Sequence, residues 1–141
     1  MKKIENYLNL PPEKRDSGLL MRDIVLPDIF NDDKNKILYY YGKDLANNFD
    51  FPQIEEIMAI FEKIGFGQIT LEKVKKDIYL FQVLGKSVDQ RFLVSQKPEF
   101  ALETGFLAQA ITIAIQRPAE GQFKLDPKKK AVSFLIQTIP Q

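Results

Sequence analysis

The sequence predicts an α+β fold: helices packed on one face of a four-stranded antiparallel sheet, with elements in the order ααα-ββ-α-ββ. Three observations predict it. Apolar residues recur at three- and four-residue intervals as far as Ile64, and the period changes to two from Gly67. Two strand-turn-strand patterns flank an almost wholly apolar helical stretch, ALETGFLAQAITIAIQR at 101–117. Helices segregated from antiparallel hairpins belong to a layered α+β arrangement and not to an alternating parallel one.

The elements follow in order. The chain is read as a single domain, 1–141, with residues 1–15 as a loosely attached arm whose Ile4, Tyr7, Leu8 and Leu10 could dock on the body. A first helix begins after Pro11-Pro12, is capped near Asp16 or Ser17, shows an apolar face of Leu19, Leu20, Ile24, Val25 and Leu26, and is expected to stop at Pro27. After a turn at 28–31, Asp32 and Asp33 offer caps to a second helix with Ile37, Leu38, Tyr41, Leu45 and Phe49 on one face. Gly42 interrupts that face at a cost of about 1 kcal/mol relative to alanine, which points to another element passing close by. Asp50 and Gln53 resemble a capping box for a third helix with the stripe Ile54, Ile57, Met58, Phe61 and Ile64, and Gly65 is its C-terminal cap.

Ile69 and Leu71 then alternate with polar residues, and Lys75-Lys76-Asp77 turns the chain into IYLFQVL, which is apolar on both faces, as expected of a central strand or of one covered by something beyond the sheet. Residues 87–98 fit a short helix or a loop equally. Pro98 and Glu99 open the fourth helix, Pro118 closes it, and a second hairpin runs from Gln122 to Ile139 about the turn Asp126-Pro127-Lys128-Lys129.

Composition removes whole classes of chemistry. The chain has no Cys and no His, so there is no thiolate nucleophile, no disulfide, no imidazole base, no usual zinc site and no His-ligated haem. No cofactor is expected. The absence of disulfides fits a reducing, cytoplasmic setting. Twenty Lys and Arg against nineteen Asp and Glu leave +1, so no broad field draws the protein to nucleic acid. MKKIENYLNLPPEKR lacks the apolar run of an export signal, and the longest apolar stretch is about half of the ~20 residues a membrane span needs. Forty-five per cent hydrophobic residues, with eleven Phe, are enough for a core without staples.

Two motif-like stretches have ordinary readings. Gly65-Phe66-Gly67 lies between a helix and a strand, the reverse of the order a phosphate loop requires. Asn31, Asp33 and Asn35 have calcium-loop spacing, but Lys36 and Gly42 stand where a glycine and a bidentate glutamate are needed. Lysines at 73, 75 and 76 and at 128–130 sit at the two hairpin turns, where they block strand edges; at one end of the sheet they would form a single anion-binding patch.

The fourth helix carries Glu103 among apolar neighbours. A carboxylate near a helix N-terminus gains from the dipole, by about 0.3–1 kcal/mol. Unpaired burial would cost several kcal/mol, so a buried Glu103 needs a cation, and Arg22 and Arg91 are the candidates.

The stretches RDIVLPDIF (22–30), YYYGKDLANNF (39–49), FEKIGFGQIT (61–70) and ALETGFLAQAI (101–111) resemble the uncharacterised bacterial YslB-like family over roughly residues 17–117. In order of elements that family is similar to the 4-vinyl-reductase-like domains, a fold shared with vesicle-tethering TRAPP subunits and a ligand-sensing superfamily. The resemblance implies helices stacked on a four-stranded sheet, often in a homodimer, with an apolar space between the layers that takes hydrophobic ligands in some relatives. Arg22, Gly42, Gly65, Gly67, Arg91, Glu103 and Gly105 fall on the family's recurring positions, while Glu99 stands where some relatives have a lipid-bearing cysteine.

Two functions follow as expectations. One is a non-enzymatic carrier or sensor of a small apolar ligand held between helices and sheet, with Arg22, Tyr41, Arg91, Glu103 and Phe106 at the ligand. The alternative is a homodimeric interaction or scaffold module whose core is filled. No paired carboxylates or nucleophile-base spacing argue for an enzyme. Carrier and scaffold differ in one feature, whether the space behind the fourth helix is open or plugged by phenylalanine.

Overall fold

In the computed structural model, which describes residues 2–139, the chain opens on a short helix, α1 (Lys2–Leu8). The arm is docked: Tyr7 and Leu10 are buried with Leu19 and Val94 in a small satellite core. The Tyr7 hydroxyl donates to the Asp16 carbonyl at 2.8 Å, and the Asn6 amide to the Val94 carbonyl at 3.0 Å.

After a 3₁₀ turn at Pro12–Lys14, Asp16 caps α2 (Ser17–Leu20), its Oδ1 accepting from the Leu19 N–H at 2.8 Å. The helix widens into a π turn, Met21–Val25, and returns to α geometry in α3 (Leu26–Phe30). Pro27 therefore does not stop it, and the turn expected at 28–31 is helical to Phe30. In the wide turn the Leu26 N–H reaches back to the Met21 carbonyl, and Pro27 is the second residue of α3, directly after the turn that breaks the regular α bonding. A 3₁₀ turn, Asn31–Asp33, leads into α4 (Lys34–Ala46), whose start has no side-chain cap bond from Asp33. The capping box at α5 (Ile54–Ile64) is likewise not formed, since Gln53 precedes the helix without a cap bond. Gly65, at φ 101°, ends α5 as expected.

The first hairpin is β1 (Gln68–Lys75) and β2 (Ile78–Leu84). The ambiguous segment is a helix, α6 (Lys86–Val94). The hub helix α7 (Ala101–Ile115) follows, then β3 (Ala119–Asp126) and β4 (Ala131–Thr138). The sheet is antiparallel throughout in the order β1-β2-β4-β3, with β2 central. Ile78 lies opposite Gln137 and Val83 opposite Val132, so the two lysine-bearing turns sit at opposite ends of the sheet. They cannot form one patch.

Helix α7 is packed between α4 and the β3/β4 half of the sheet. Glycine makes the first contact possible: a Cβ at Gly105 would run into the Tyr39 carbonyl oxygen, and one at Gly42 into that of Leu102. This crossing also decides which face of α4 is buried. Leu38, Gly42 and Ala46 turn inward, and Tyr41, expected on the buried stripe, lies on the outer face.

The space between helices and sheet is occupied by aromatic rings. Phe51, Phe61, Phe81, Phe100, Phe106 and Phe134 are fully buried. Phe106 stands 5.8 Å from Phe51, 5.9 Å from Phe66 and 6.2 Å from Phe61, ring centroid to centroid, within the range of attractive edge and tilted contacts. Phe134 extends the cluster down to the sheet, 6.4 Å from Phe61 and 6.2 Å from Phe100.

A buried guanidinium-carboxylate cluster as candidate functional site

The cluster grows from three elements. The π turn brings neighbouring Arg22 and Asp23 to the body, α6 contributes Arg91, and the start of α7 contributes Glu99 and Glu103. Arg22 forks onto Glu103, Nη2 donating to Oε1 at 2.7 Å and Nη1 to Oε2 at 3.0 Å. Its Nε donates to Glu99 Oε2 at 2.9 Å. Arg91 turns to Asp23, Nη2 and Nε donating to Oδ1 at 2.8 and 3.0 Å, and it also donates from Nη2 to the Glu99 carbonyl oxygen and to Glu99 Oε2 at 3.3 Å. Its Nη1 lies 3.5 Å from Glu103 Oε2, an ion-pair distance that is not a hydrogen bond. The Arg91 guanidinium rests on the Phe100 ring at 4.4 Å from the centroid.

Both expected cations therefore hold Glu103, which is 3% exposed. Geometry of this kind is what offsets the cost of burying charge. Glu99 has a second task. The helix begins after Phe100 without a cap from that residue, and Glu99 Oε1 accepts from the Ala101 N–H at 2.9 Å. Burial alone would raise the Glu99 pKa, but its contacts with Arg22 and Arg91 outweigh burial and hold the carboxyl below the ordinary range. For Arg22 burial works against the charge, and Glu103 with Glu99 more than restores it. Two guanidiniums face three carboxylates, so the cluster carries one negative charge in excess.

A cleft of about 260 Å³ opens at the rim of the cluster, with Arg22, Arg91, Glu103, Gly65, Phe66 and Phe100 among its lining residues. Of the five residues expected at a ligand, Arg22, Arg91 and Glu103 meet here. Phe106 does not: it is fully buried in the phenylalanine cluster. Tyr41 does not either, being 61% exposed on the far side of α4. Asp23 and Glu99, which complete the cluster, were not among the residues the sequence pointed to. Among the described residues no group of His, Cys, Asp and Glu is arranged to hold a metal ion, and no helix is long and apolar enough to cross a membrane.

Over 117 residues the chain is 36% identical to the Uncharacterized protein YslB of Bacillus subtilis (strain 168), covering 83% of this chain and 78% of that one. Residues 17–137 match the family described as Protein of unknown function (DUF2507), so the match begins at the first residue of α2, takes in the whole charged cluster and extends through most of the second hairpin. The chain belongs to this DUF2507 family.

Proposed function

We propose that the protein is a non-enzymatic interaction module that pairs with a second copy of itself, and that its helix-sheet space holds no ligand. The observation that carries this reading is the filled core: six fully buried phenylalanines occupy the volume that a carrier would leave open. The charged cluster then serves as a clamp. It ties the π turn and α6 to the start of α7 and fixes the surface that the helices present.

The outer face of α4 supports the pairing. Tyr41 is 61% exposed on a helix whose opposite face is sealed against α7, while Tyr40, 56% exposed, turns toward the β3 edge. Exposed tyrosines are enriched at interfaces, where they bury large area at low entropic cost. Sedimentation equilibrium tests it. The wild-type chain is expected to sediment as a dimer and Tyr41→Glu as a monomer with unchanged circular dichroism; a monomeric wild type, or a dimer that survives the substitution, removes the support of this face.

One observation favours a second reading. Among the described residues Arg91 Nη1 is buried without a hydrogen-bond partner beside the rim cleft. A small ligand there would offer a neutral acceptor such as an amide or ketone oxygen, since a carboxylate would meet the cluster's excess negative charge.

A further inference from the structure

Strand β3 is an edge of the sheet, and its two halves are treated differently. The Ile139 N–H donates to the Pro118 carbonyl at 2.8 Å, and with the register unbroken along β3 the even-numbered residues point their backbone groups to β4. Ala119, Gly121, Phe123 and Leu125 therefore point theirs outward. In the first half these outward donors are sealed by side chains: the Ala119 N–H donates to the Thr112 hydroxyl at 3.0 Å and the Gly121 N–H to the Tyr39 hydroxyl at 3.1 Å. Tyr39 is itself held in place, donating to Glu120, whose carboxylate takes Lys43 at 2.8 Å. In the second half, among the described residues, nothing from another element bonds the outward groups of Phe123 and Leu125.

Two clefts flank this open half. One, of about 490 Å³, runs from Phe123 back along Glu120–Gln122, so that it reaches the open half only at Phe123, and has Tyr39, Tyr40 and Lys36 in its wall. The other, of about 680 Å³, lies against Leu125 with Phe92, Lys97 and Lys130. Among the described residues none of Lys36, Lys97, Lys124 and Lys130 is in a salt bridge, whereas Glu120 is neutralised by Lys43. The turn beyond β3 adds Lys128 and Lys129.

We propose that the open half of β3 is a docking site for an extended acidic peptide of a partner protein, which adds to the sheet as a fifth strand beside Phe123 and Leu125. This rests on the reading of the protein as an interaction module and names its partner's chemistry. Strand addition supplies two outward N–H and two outward C=O groups for main-chain bonding. Side chains two residues apart on the added strand fall on the same face, one at each cleft, so the segment carries apolar residues at i and i+2. Acidic residues between and around them meet the unpaired lysines. The sealing of the first half sets where the added strand must stop.

The test is selection of a phage-displayed library of random heptapeptides on the full chain and on two variants. Leu125→Pro removes one outward N–H and leaves the bonds to β4, a substitution edge strands tolerate; Lys97→Glu with Lys130→Glu reverses the charge of one cleft. The expected result is enrichment of acidic sequences with apolar residues two apart, binding to both variants weakened by about tenfold or more, and a cooperative thermal melt kept by both variants, lowered for Leu125→Pro by the lost packing of its side chain. Enrichment of basic or helix-patterned sequences, no enrichment, or undiminished binding to Leu125→Pro overturns the proposal. If instead Leu125→Pro abolishes a wild-type dimer, the occupant is a second copy and the acidic-peptide assignment falls. Tyr41→Glu keeps the two levels apart, since failure of peptide selection alongside a Tyr41-dependent dimer removes the edge site and leaves the interaction module standing.

Discussion

Glu103 shows what a single residue can disclose. An acid on a helix with few other polar positions had to be either at a solvent edge or paired, and the pairing candidates Arg22 and Arg91 both turn out to hold it. Asp23 and Glu99 were less legible because neither stands on a regular period: Asp23 lies in the π turn, and Glu99 precedes the helix it caps. The charge imbalance of the cluster ranks its members. Removing a cation, as in Arg22→Met, leaves three buried carboxylates with one guanidinium and is expected to cost about 3–5 kcal/mol, as breaking buried ion pairs does. Glu103→Gln relieves the excess charge and keeps a hydrogen-bonding group, so it is expected to cost less, about 1–3 kcal/mol. Urea unfolding of both variants checks the order, and equal costs would contradict it. The pH dependence has a definite sign. Glu99 binds its proton less readily folded than unfolded, so its stabilisation is complete above the ordinary value of 4.5 and is lost as the pH falls from there through the depressed folded pKa. Glu99→Gln is expected to flatten that acid limb of the stability profile, read by thermal melting between pH 6 and the acid transition; an unchanged limb would place the acid sensitivity elsewhere.

At the scale of elements, the hairpins were the most readable parts, because period-two patterns bounded by lysine-rich turns have few other solutions. Pro27 misled because a proline forbids a regular α-helical bond but not a helix that first widens by one residue. The buried face of α4 misled for a different reason. Two apolar stripes compete on that helix, and the choice is made by the approach of Gly42 to α7, a tertiary fact no helical wheel contains. The same approach makes a prediction. Gly105→Ala raises helix propensity yet drives a methyl into the Tyr39 backbone, and overpacking of this kind costs about 1–3 kcal/mol. A loss in that range on urea unfolding is expected. A stabilised variant would mean that the two helices are not in close contact.

The whole molecule is a sheet covered on one face, with α7 as its hub and phenylalanine as its filler. The layer order was readable from the segregation of helices and hairpins. Whether the interior was open or closed was not, because eleven phenylalanines can equally line a pocket or plug one, and only their mutual packing decides. That packing carries the functional reading from a carrier to an interaction module. Native mass spectrometry of the chain purified from the organism that makes it tests this most directly. The filled core predicts the bare mass of the polypeptide, or a whole multiple of it, with and without prior extraction by organic solvent. An additional mass of a few hundred daltons that extraction removes would show that the interior opens for a ligand, and would contradict the account.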